Sequence, residues 1–232
     1  MNIIFTNTTD FSELDSPQPA SNFIPDWYKS MESYIGGQKK PSSEARTTST
    51  VKRCMPVFDA ITAGYIITSP ADVWVSIVED ENGEKDQRFE WSNFGLISFH
   101  PIEQAPNHPA RNEFPYPKWN NLWSAKTPKG YSTLFVQPFH RESLFTILPG
   151  VVDTDEYYAP VNFPFVMNDP YFEGLIPKGT PIAQLIPFKR ESWEMEYGDQ
   201  KDYTKAINQK TTLRHVFFDS YKNNYWDKKE YK

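Results

Sequence analysis

The spacing of hydrophobic and polar residues divides the chain into three parts, with changes near residues 50 and 191. In the middle part, short apolar runs alternate with turn residues. The clearest run is Val73–Glu79, which reads VWVSIVE and precedes an Asn82-Gly83 pair. An Asn-Gly pair between two such runs is typical of a tight β-hairpin. The pattern therefore predicts a hairpin whose first strand is Val73–Glu79.

Other runs of the middle part also have the length and composition of short strands. They are Arg88–Trp91, Gly95–His100, Trp119–Ala125, Tyr131–Pro138, Val161–Met167 and Thr180–Pro187. Many short strands separated by turn signals predict a mainly β fold. We expect a distorted antiparallel β-barrel or sandwich.

The two ends of the chain have a different character. Asn2–Phe5 is expected to be a short strand, Pro25 and Asp26 mark the start of a short helix, and the polar segment Gly36–Thr50 is expected to be a linker. Near the C-terminus, apolar residues at spacings of three and four predict one or two amphipathic α-helices. The lysine-rich tip 227–232 is expected to be solvated and frayed.

The predicted organisation follows from these changes in pattern. It comprises an N-terminal extension and linker (1–50), a β domain (51–191) and a C-terminal helical extension (192–232).

Composition limits the classes of function. The 232 residues carry a formal net charge of −6, which excludes a general nucleic-acid coat because such proteins neutralise phosphates with a basic face. The single cysteine, Cys54, allows no internal disulfide. The sequence shows neither a secretory signal nor an apolar run of membrane-spanning length. We therefore expect a soluble protein without a membrane partner, in the cytoplasm or, if its role is structural, in a virion.

Two polar clusters in the β domain are candidate site residues. Asp153, Asp155 and Glu156 lie at a turn, where they serve either turn formation or the orientation of a ligand or a water molecule. His140 and Arg141 follow a predicted strand. Arg141 suits the bidentate binding of a phosphate or carboxylate, and equally a surface ion pair. Both interpretations stay open at each cluster.

Other polar and aromatic residues predict less chemistry. The four histidines have no close ligand spacing, so no metal site is predicted. Gln184 stands in an apolar run and is expected to face a partner or another subunit. The aromatic residues Trp119, Trp123, Tyr131 and Phe135 are expected in the core rather than in a base-stacking platform.

Several segments of the β domain occur in the same order as the motifs of trimeric dUTPases and dCTP deaminases. They are Ala63-Gly64-Tyr65, Pro128 to Tyr131, Phe135 to Pro138, Gly150 to Asp153 and Lys178 to Ile186. The stretch from Leu148 to Glu191 resembles the end of the barrel in these enzymes. The resemblance implies a dUTPase-like fold of the β-clip type. It also implies a homo-oligomer, because trimers are the usual assembly there.

The resemblance also implies roles for the two clusters. Asp153 matches the Asp that orients the attacking water and is the catalytic candidate. Tyr157, or its neighbour Tyr158, takes the place of the Tyr that packs on the deoxyribose. His140 and Arg141 stand where phosphate contacts are expected, and Asp155 of the acidic turn is a further ligand-binding candidate. The matching Gln of the family is a structural strand residue, which implies the same for Gln184.

The chain also departs from the pattern of these enzymes. Ile66 stands in place of an acidic residue, His140 stands in place of the phosphate-binding Ser, and the Gly-rich C-terminal arm is absent. Mg²⁺-dependent triphosphate chemistry needs such acids and phosphate donors, so canonical dUTP hydrolysis is not expected. The zinc deaminase signature is missing as well. We expect no cofactor, except Mg²⁺ if a nucleotide is bound.

A second, closer resemblance covers nearly everything from Val51 to Glu191. The segments Arg53 to Pro56, Ser92 to His100, Gly150 to Asp155 and Phe163 to Asn168 resemble motifs of an uncharacterised family of bacteria and tailed phages, a domain of unknown function. The lysine- and tyrosine-rich composition is similar to that of a phage-encoded member. The family has no assigned activity that could be carried over.

Three functions follow as alternatives. The first is a non-canonical dUTPase-like protein that binds a small ligand, with a nucleotide as one candidate, and does not hydrolyse dUTP. Its binding site is expected in one cleft near Asp153, Tyr157, His140 and Arg141. The second is a phage structural or interaction protein whose extensions dock onto phage or host proteins. The third is a nucleotide hydrolase with rearranged catalytic residues.

Overall fold

The computed structural model describes residues 1–10, 14–37, 48–92, 95–110, 113–215 and 220–232. Most of the predicted linker, residues 38–47, lies outside this described part. The predicted mainly β fold with C-terminal helices is confirmed, with antiparallel strands in four sheets. Among the described residues these sheets do not close into a barrel.

The largest sheet has five strands in the order β11-β9-β14-β3-β2. They are β2 (Gln18–Pro19), β3 (Tyr65–Thr68), β9 (Tyr131–Val136), β11 (Gly150–Val152) and β14 (Pro181–Lys189). The central strand is β14, and its residues Ile182, Ala183, Gln184 and Leu185 are all buried. Consecutive buried residues point to opposite faces of a strand, so both faces of the sheet are covered here.

Three smaller sheets complete the β structure. One contains β6 (Ile97–His100), β7 (Tyr116–Trp119), β10 (Phe145–Ile147) and β12 (Phe163–Met167), and a second contains β4 (Val73–Glu79), β5 (Lys85–Trp91) and β13 (Gly174–Ile176). The third pairs β1 (Ile4–Asn7) with β8 (Trp123–Lys126). The predicted hairpin joins β4 and β5, with Gly83 at a φ of 83°.

An aromatic cluster fills the space between the sheets. Trp119 and Phe165 are stacked with ring centroids 5.4 Å apart, and Phe145 lies 5.5 Å from Trp119 and 5.2 Å from Phe165. Aromatic pairs at these separations add to the stabilisation from their buried area. Trp119 and Phe135 are core residues as predicted, whereas Trp123 and Tyr131 are only partly buried.

One predicted strand, Trp119–Ala125, is wrong. Trp119 ends β7 and Trp123 begins β8, in different sheets. Between them, the Asn121 amide accepts the N–H of Trp123 at 3.0 Å and donates to its carbonyl at 2.6 Å. Such side-chain bonds to nearby backbone compete with ladder pairing, and here they interrupt the strand.

Four α-helices accompany the sheets in the described part of the chain. They are α1 (Asp26–Ser30), α2 (Met55–Thr62), α3 (Gln200–His215) and α4 (Ser220–Asn224). Helix α1 begins after Pro25, as predicted. Helix α2 was not predicted, although Pro56 in its first turn is compatible with a helix start because the first N–H groups of a helix have no intrahelical partner.

The C-terminal tip is docked, so the prediction of a frayed end is wrong. The Trp226 indole N–H contacts both oxygens of Asp59 in α2, at 3.0 and 2.9 Å, and Lys229 pairs with the same carboxylate at 2.8 Å. Tyr231 packs edge-to-face on Tyr65, with ring centroids 5.9 Å apart. The tip therefore returns to the body of the protein after α4.

Gly64 makes the turn into β3 and generates the first prediction. Its φ is 67°, and a Cβ at this position would lie 1.8 Å from the Leu185 carbonyl oxygen of β14. The substitution Gly64→Ala therefore has two unfavourable effects. The alanine must adopt a left-handed φ, and its Cβ clashes with the backbone of β14. We expect it to lower the free energy of unfolding by about 3 kcal/mol or more, measured by urea denaturation.

Gly179 provides the matched control, because its φ is 83° but no atom lies within 4 Å of the added Cβ. Gly179→Ala is expected to lower the free energy of unfolding by only about 1–2 kcal/mol, the strain of the left-handed conformation alone. Equal losses for the two variants would contradict the close packing of the Gly64 turn on β14.

Candidate functional site

The acidic turn after β11 forms an ion-pair network with Arg190. The Arg190 guanidinium contacts the two carboxylate oxygens of Asp155 at 3.0 and 2.9 Å, and Oδ1 of Asp153 at 2.9 Å. The Gly130 N–H donates to Asp155 at 2.7 Å, and the Ser132 hydroxyl donates to Asp153 at 2.7 Å. Because Arg190 directly follows β14, the network ties the central strand to the turn.

Thr154 fixes the backbone between these two carboxylates. Its hydroxyl contacts the hydroxyl of Thr127 at 2.7 Å and that of Thr133 at 2.8 Å, and the residue is 1% exposed. Its carbonyl accepts the N–H of Thr127 at 3.2 Å. The acidic turn is therefore anchored to β9 and to the segment before it at three successive residues.

These contacts hold both carboxylates in their charged form. The Ser132 hydroxyl and then Arg190 lower the pKa of Asp153, and Arg190 and then the Gly130 N–H lower the pKa of Asp155. A general base in catalysis works best with a pKa near the operating pH. The geometry of the acidic turn thus favours its structural interpretation.

The acidic turn is bonded to the start of β9. A groove of about 700 Å³ lies near the other end of this strand. It is lined by Trp27 of α1, by Val136 at the end of β9 and residues 137–142 after it, and by Thr146, Ile147 and Pro149 at β10 and after it. We call it the Arg141 groove. The Trp27 indole N–H donates to the His140 carbonyl at 2.8 Å, so α1 is attached to the loop that carries the site residues. His140 has a φ of 56°, which turns the chain sharply at this point.

Arg141 is the arginine among the residues that line the groove. Its Nη1 donates to the Phe23 carbonyl, whereas Nε and Nη2 are buried and have no hydrogen-bond partner among the described residues. Burial lowers the pKa of the Arg141 guanidinium from its usual value. Unpaired buried donors on a charged group are unfavourable, so an anion that reached them would be bound favourably.

Gln184 holds the groove loop against the sheet. Its Oε1 accepts the N–H of Phe139 at 3.0 Å, and its Nε2 donates to the carbonyls of Ala60 and Ala63 at 2.9 and 2.7 Å. The residue is fully buried within the chain. The prediction that Gln184 faces a partner or another subunit is therefore wrong, because these backbone groups within the chain use the whole amide.

The structure does not bring the two predicted clusters into one cleft. His140 and Arg141 follow the end of β9, whereas Asp153 and Asp155 are bonded to residues at its start. The six residues of β9 span roughly 20 Å. The lining of the Arg141 groove contains none of the acidic-turn residues. Tyr157 is half exposed, and its N–H donates to the Asp153 carbonyl at 2.9 Å, so it belongs to the acidic turn.

Sequence reasoning missed two residues that define these sites. Arg190 lies 35 residues after its partner Asp155, and Trp27 lies 113 residues before its partner His140. Arg190 carries a weak signal, as a basic residue just after a predicted strand, but the strand that leads into the acidic turn is not adjacent to it and lies on the other side of β9. That signal becomes useful only when the sheet order is known.

No cluster of three or more His, Cys, Asp or Glu side chains is placed to bind a metal ion in the described part of the chain. Two of the histidines make local contacts instead. His100 bonds to Gln104 at 2.6 Å, and His108 accepts the N–H of Ala110 at 3.0 Å. None of the described helices is long and apolar enough to cross a membrane.

Comparisons with known proteins give a structural likeness but no sequence match. No protein-family model matches the chain, and a search of curated proteins also finds no match. Among solved structures, the chain is similar to a mutant dUTPase of Staphylococcus bacteriophage 80alpha with dUpNHpp. The identity is 12% and the TM-score is 0.36, and the match covers 86% of this chain and 89% of that one. A likeness this weak supports no conclusion about family, activity or assembly.

The acidic turn predicts a specific dependence of stability on pH. Both carboxylates have a lowered pKa in the folded protein, so their contribution is present above the unfolded value of about 3.9 and is lost as the pH falls below it. We expect the melting temperature to fall as the pH drops below about 4. In Asp155→Asn, the melting temperature at pH 7 should be lower and its fall in acid smaller.

Glu156→Gln is the control for this measurement, because Glu156 lies in the same turn and its side chain is exposed. It should leave the melting temperature at pH 7 and the acid profile close to those of the wild type. Identical acid profiles for Asp155→Asn and the wild type would contradict a stabilising network.

Proposed function

We propose that the protein binds a small anionic ligand in the Arg141 groove and does not hydrolyse it by the dUTPase reaction. The observation that carries this proposal is the guanidinium of Arg141, whose buried Nε and Nη2 have no partner among the described residues. A volume of about 700 Å³ falls in the range of small-molecule sites. A phosphate or carboxylate is the group that fits a guanidinium best.

A nucleotide is the ligand class that we would test first. Its phosphate suits Arg141, and its planar base suits the aromatic side of the groove, where Trp27 is 39% exposed. The sequence motifs that resemble those of dUTPases favour the same class. Any Mg²⁺ would enter as part of a nucleotide complex, with the phosphates as ligands.

The contacts of the acidic turn support the proposal that the protein does not carry out canonical dUTP hydrolysis. Asp153 is the residue that the resemblance implies for water orientation, but its Oδ1 is occupied by Ser132 and Arg190. The turn also lies away from the groove. A hydrolase with rearranged residues would need another base near Arg141. Glu142, which lines the groove, is the carboxylate available there.

A second candidate function is that of a structural or interaction protein. It is favoured by the segment after β14, in which Trp193, Met195 and Tyr197 are 86%, 81% and 91% exposed. Large apolar side chains at such exposure are typical of docking surfaces. Ligand binding in the groove and docking through this segment are compatible, because they use different parts of the chain.

The ligand proposal is tested by thermal shift and calorimetry with nucleoside mono-, di- and triphosphates, cyclic dinucleotides and inorganic phosphate, with and without Mg²⁺. A bound ligand should raise the melting temperature by mass action. Arg141→Met should weaken the binding constant by roughly tenfold to a hundredfold, the effect of losing charged hydrogen bonds. Arg141→Lys should be intermediate, since it keeps the charge and loses the planar fork.

Two control variants make this test specific. Arg88→Met removes an exposed arginine that pairs with Glu90 at 2.9 Å, outside the groove, and should leave binding unchanged. Asp153→Asn should also leave the binding constant unchanged, because the acidic turn lies outside the groove. Absence of binding by the wild type for every compound would overturn the proposal. An effect of Asp153→Asn equal to that of Arg141→Met would restore the single-cleft prediction.

A further inference from the structure

The segment between β14 and α3 is a fully exposed arm. We use the term arm for residues 191–199, which have no helix or strand assignment and are exposed at every position. Its centre reads Trp193-Glu194-Met195-Glu196-Tyr197. Apolar and acidic side chains alternate strictly. Such a period of two is the pattern of a strand with one apolar and one charged face.

The apolar face of the arm has no partner within the described chain. Trp193, Met195 and Tyr197 keep more than four-fifths of their surface exposed, and none of them packs on the core cluster. Apolar side chains stabilise a protein when they are removed from water, so these three contribute no such free energy while they are exposed. They would contribute to stability only when another surface covers the apolar face of the arm.

Helix α3 offers a surface of matching shape and charge. A groove of about 620 Å³ runs between one side of this helix and Tyr225 after α4. Its lining includes Lys201 and Lys205, with Thr and amide side chains between and beyond them along the helix. From Gln200 to Thr212 the helix is exposed except for Gln209, so the groove is open along its length.

The charges of the two elements are opposite. The arm contains four acidic residues and no basic residue, whereas α3 contains four basic residues and one acidic residue. The chain as a whole carries a net charge of −6, so most of its surface does not attract an acidic segment. The groove along α3, with Lys201 and Lys205 in its lining, is therefore a surface that fits the arm electrostatically.

We propose that the arm of one molecule docks in the α3 groove of a second copy. Trp193, Met195 and Tyr197 cover the groove beside Tyr225, and the acidic side chains Glu194 and Glu196 face the lysines of the helix. The contact is reciprocal, because each copy offers both an arm and a groove. It forms a two-fold symmetric dimer in which the same surfaces of the two copies pair.

The size of the contact reaches the lower end of the range for specific dimer interfaces. A buried aromatic side chain removes about 150–250 Å² from water, and two exchanged arms bring three large apolar side chains each. The pair thus buries roughly 1,000 Å² in total, the lower bound for a specific interface. The charges add orientation and speed of association more than affinity.

Charge reversal on the two elements tests the proposal. One variant is Glu194→Lys/Glu196→Lys in the arm, and the other is Lys201→Glu/Lys205→Glu in α3. Alone, each variant places like charges at both contacts, which should weaken dimerisation by roughly tenfold or more. An equimolar mixture places opposite charges at both contacts and should restore a dimer that contains one copy of each variant. The mass and composition of the species are measured by light scattering and native mass spectrometry at low ionic strength.

The outcomes separate exchange between copies from other arrangements. Restoration of the dimer in the mixture supports the proposal, as does its loss in Trp193→Ala/Met195→Ala/Tyr197→Ala. A wild type that is monomeric at high concentration overturns it, because the arm then folds onto its own helix or onto another protein. An oligomer that persists in both charge variants also overturns it. Glu81→Lys/Glu84→Lys, in the exposed β4–β5 hairpin, is the control for a general effect of charge.

Discussion

The buried amide of Gln184 is the interaction on which the arrangement of this protein depends. It lies in the central strand β14 and bonds to the end of α2, through Ala60 and Ala63, and to the loop after β9, through Phe139. All three contacts satisfy the amide of a fully buried side chain, and burying this amide without partners would be strongly unfavourable. One side chain therefore fixes the helix, the Gly64 turn and the floor of the Arg141 groove relative to the same strand.

The parts of the fold that could be predicted from the sequence are those with local causes. The strand Val73–Glu79 and its Asn-Gly turn follow from alternation and from the conformational freedom of glycine. The division of residues 119–125 between two sheets could not be predicted, because it depends on the bonds that Asn121 makes to Trp123. Helix α2 could not be predicted either, because a short apolar run is equally compatible with a strand and with a helix.

The site could be predicted only in part. Sequence motifs pointed to Asp153, Asp155, His140 and Arg141, and each lies at the end of a strand or in a turn, as expected. Their grouping into one cleft did not follow, because it requires the sheet order. In the structure, Arg190 pairs with both acidic residues from the end of β14, whereas Arg141, beyond the other end of β9, has buried donors without a partner among the described residues. The partner of each charge, rather than its presence, decides which cluster is available to a ligand.

Because the C-terminal tip is docked, the exposed helix α3 lies in a segment that is held at both ends. The chain leaves the body at Arg190, which is bonded to Asp155, and returns at Trp226, which is bonded to Asp59. The part between them is thus a closed loop anchored at both ends, whose conformational entropy is lower than that of a free tail of equal length. A helix restrained in this way loses less entropy when another molecule binds it. Cutting the loop, or extending the C-terminus so that Trp226 is displaced, would turn a helix restrained at both ends into part of a flexible tail.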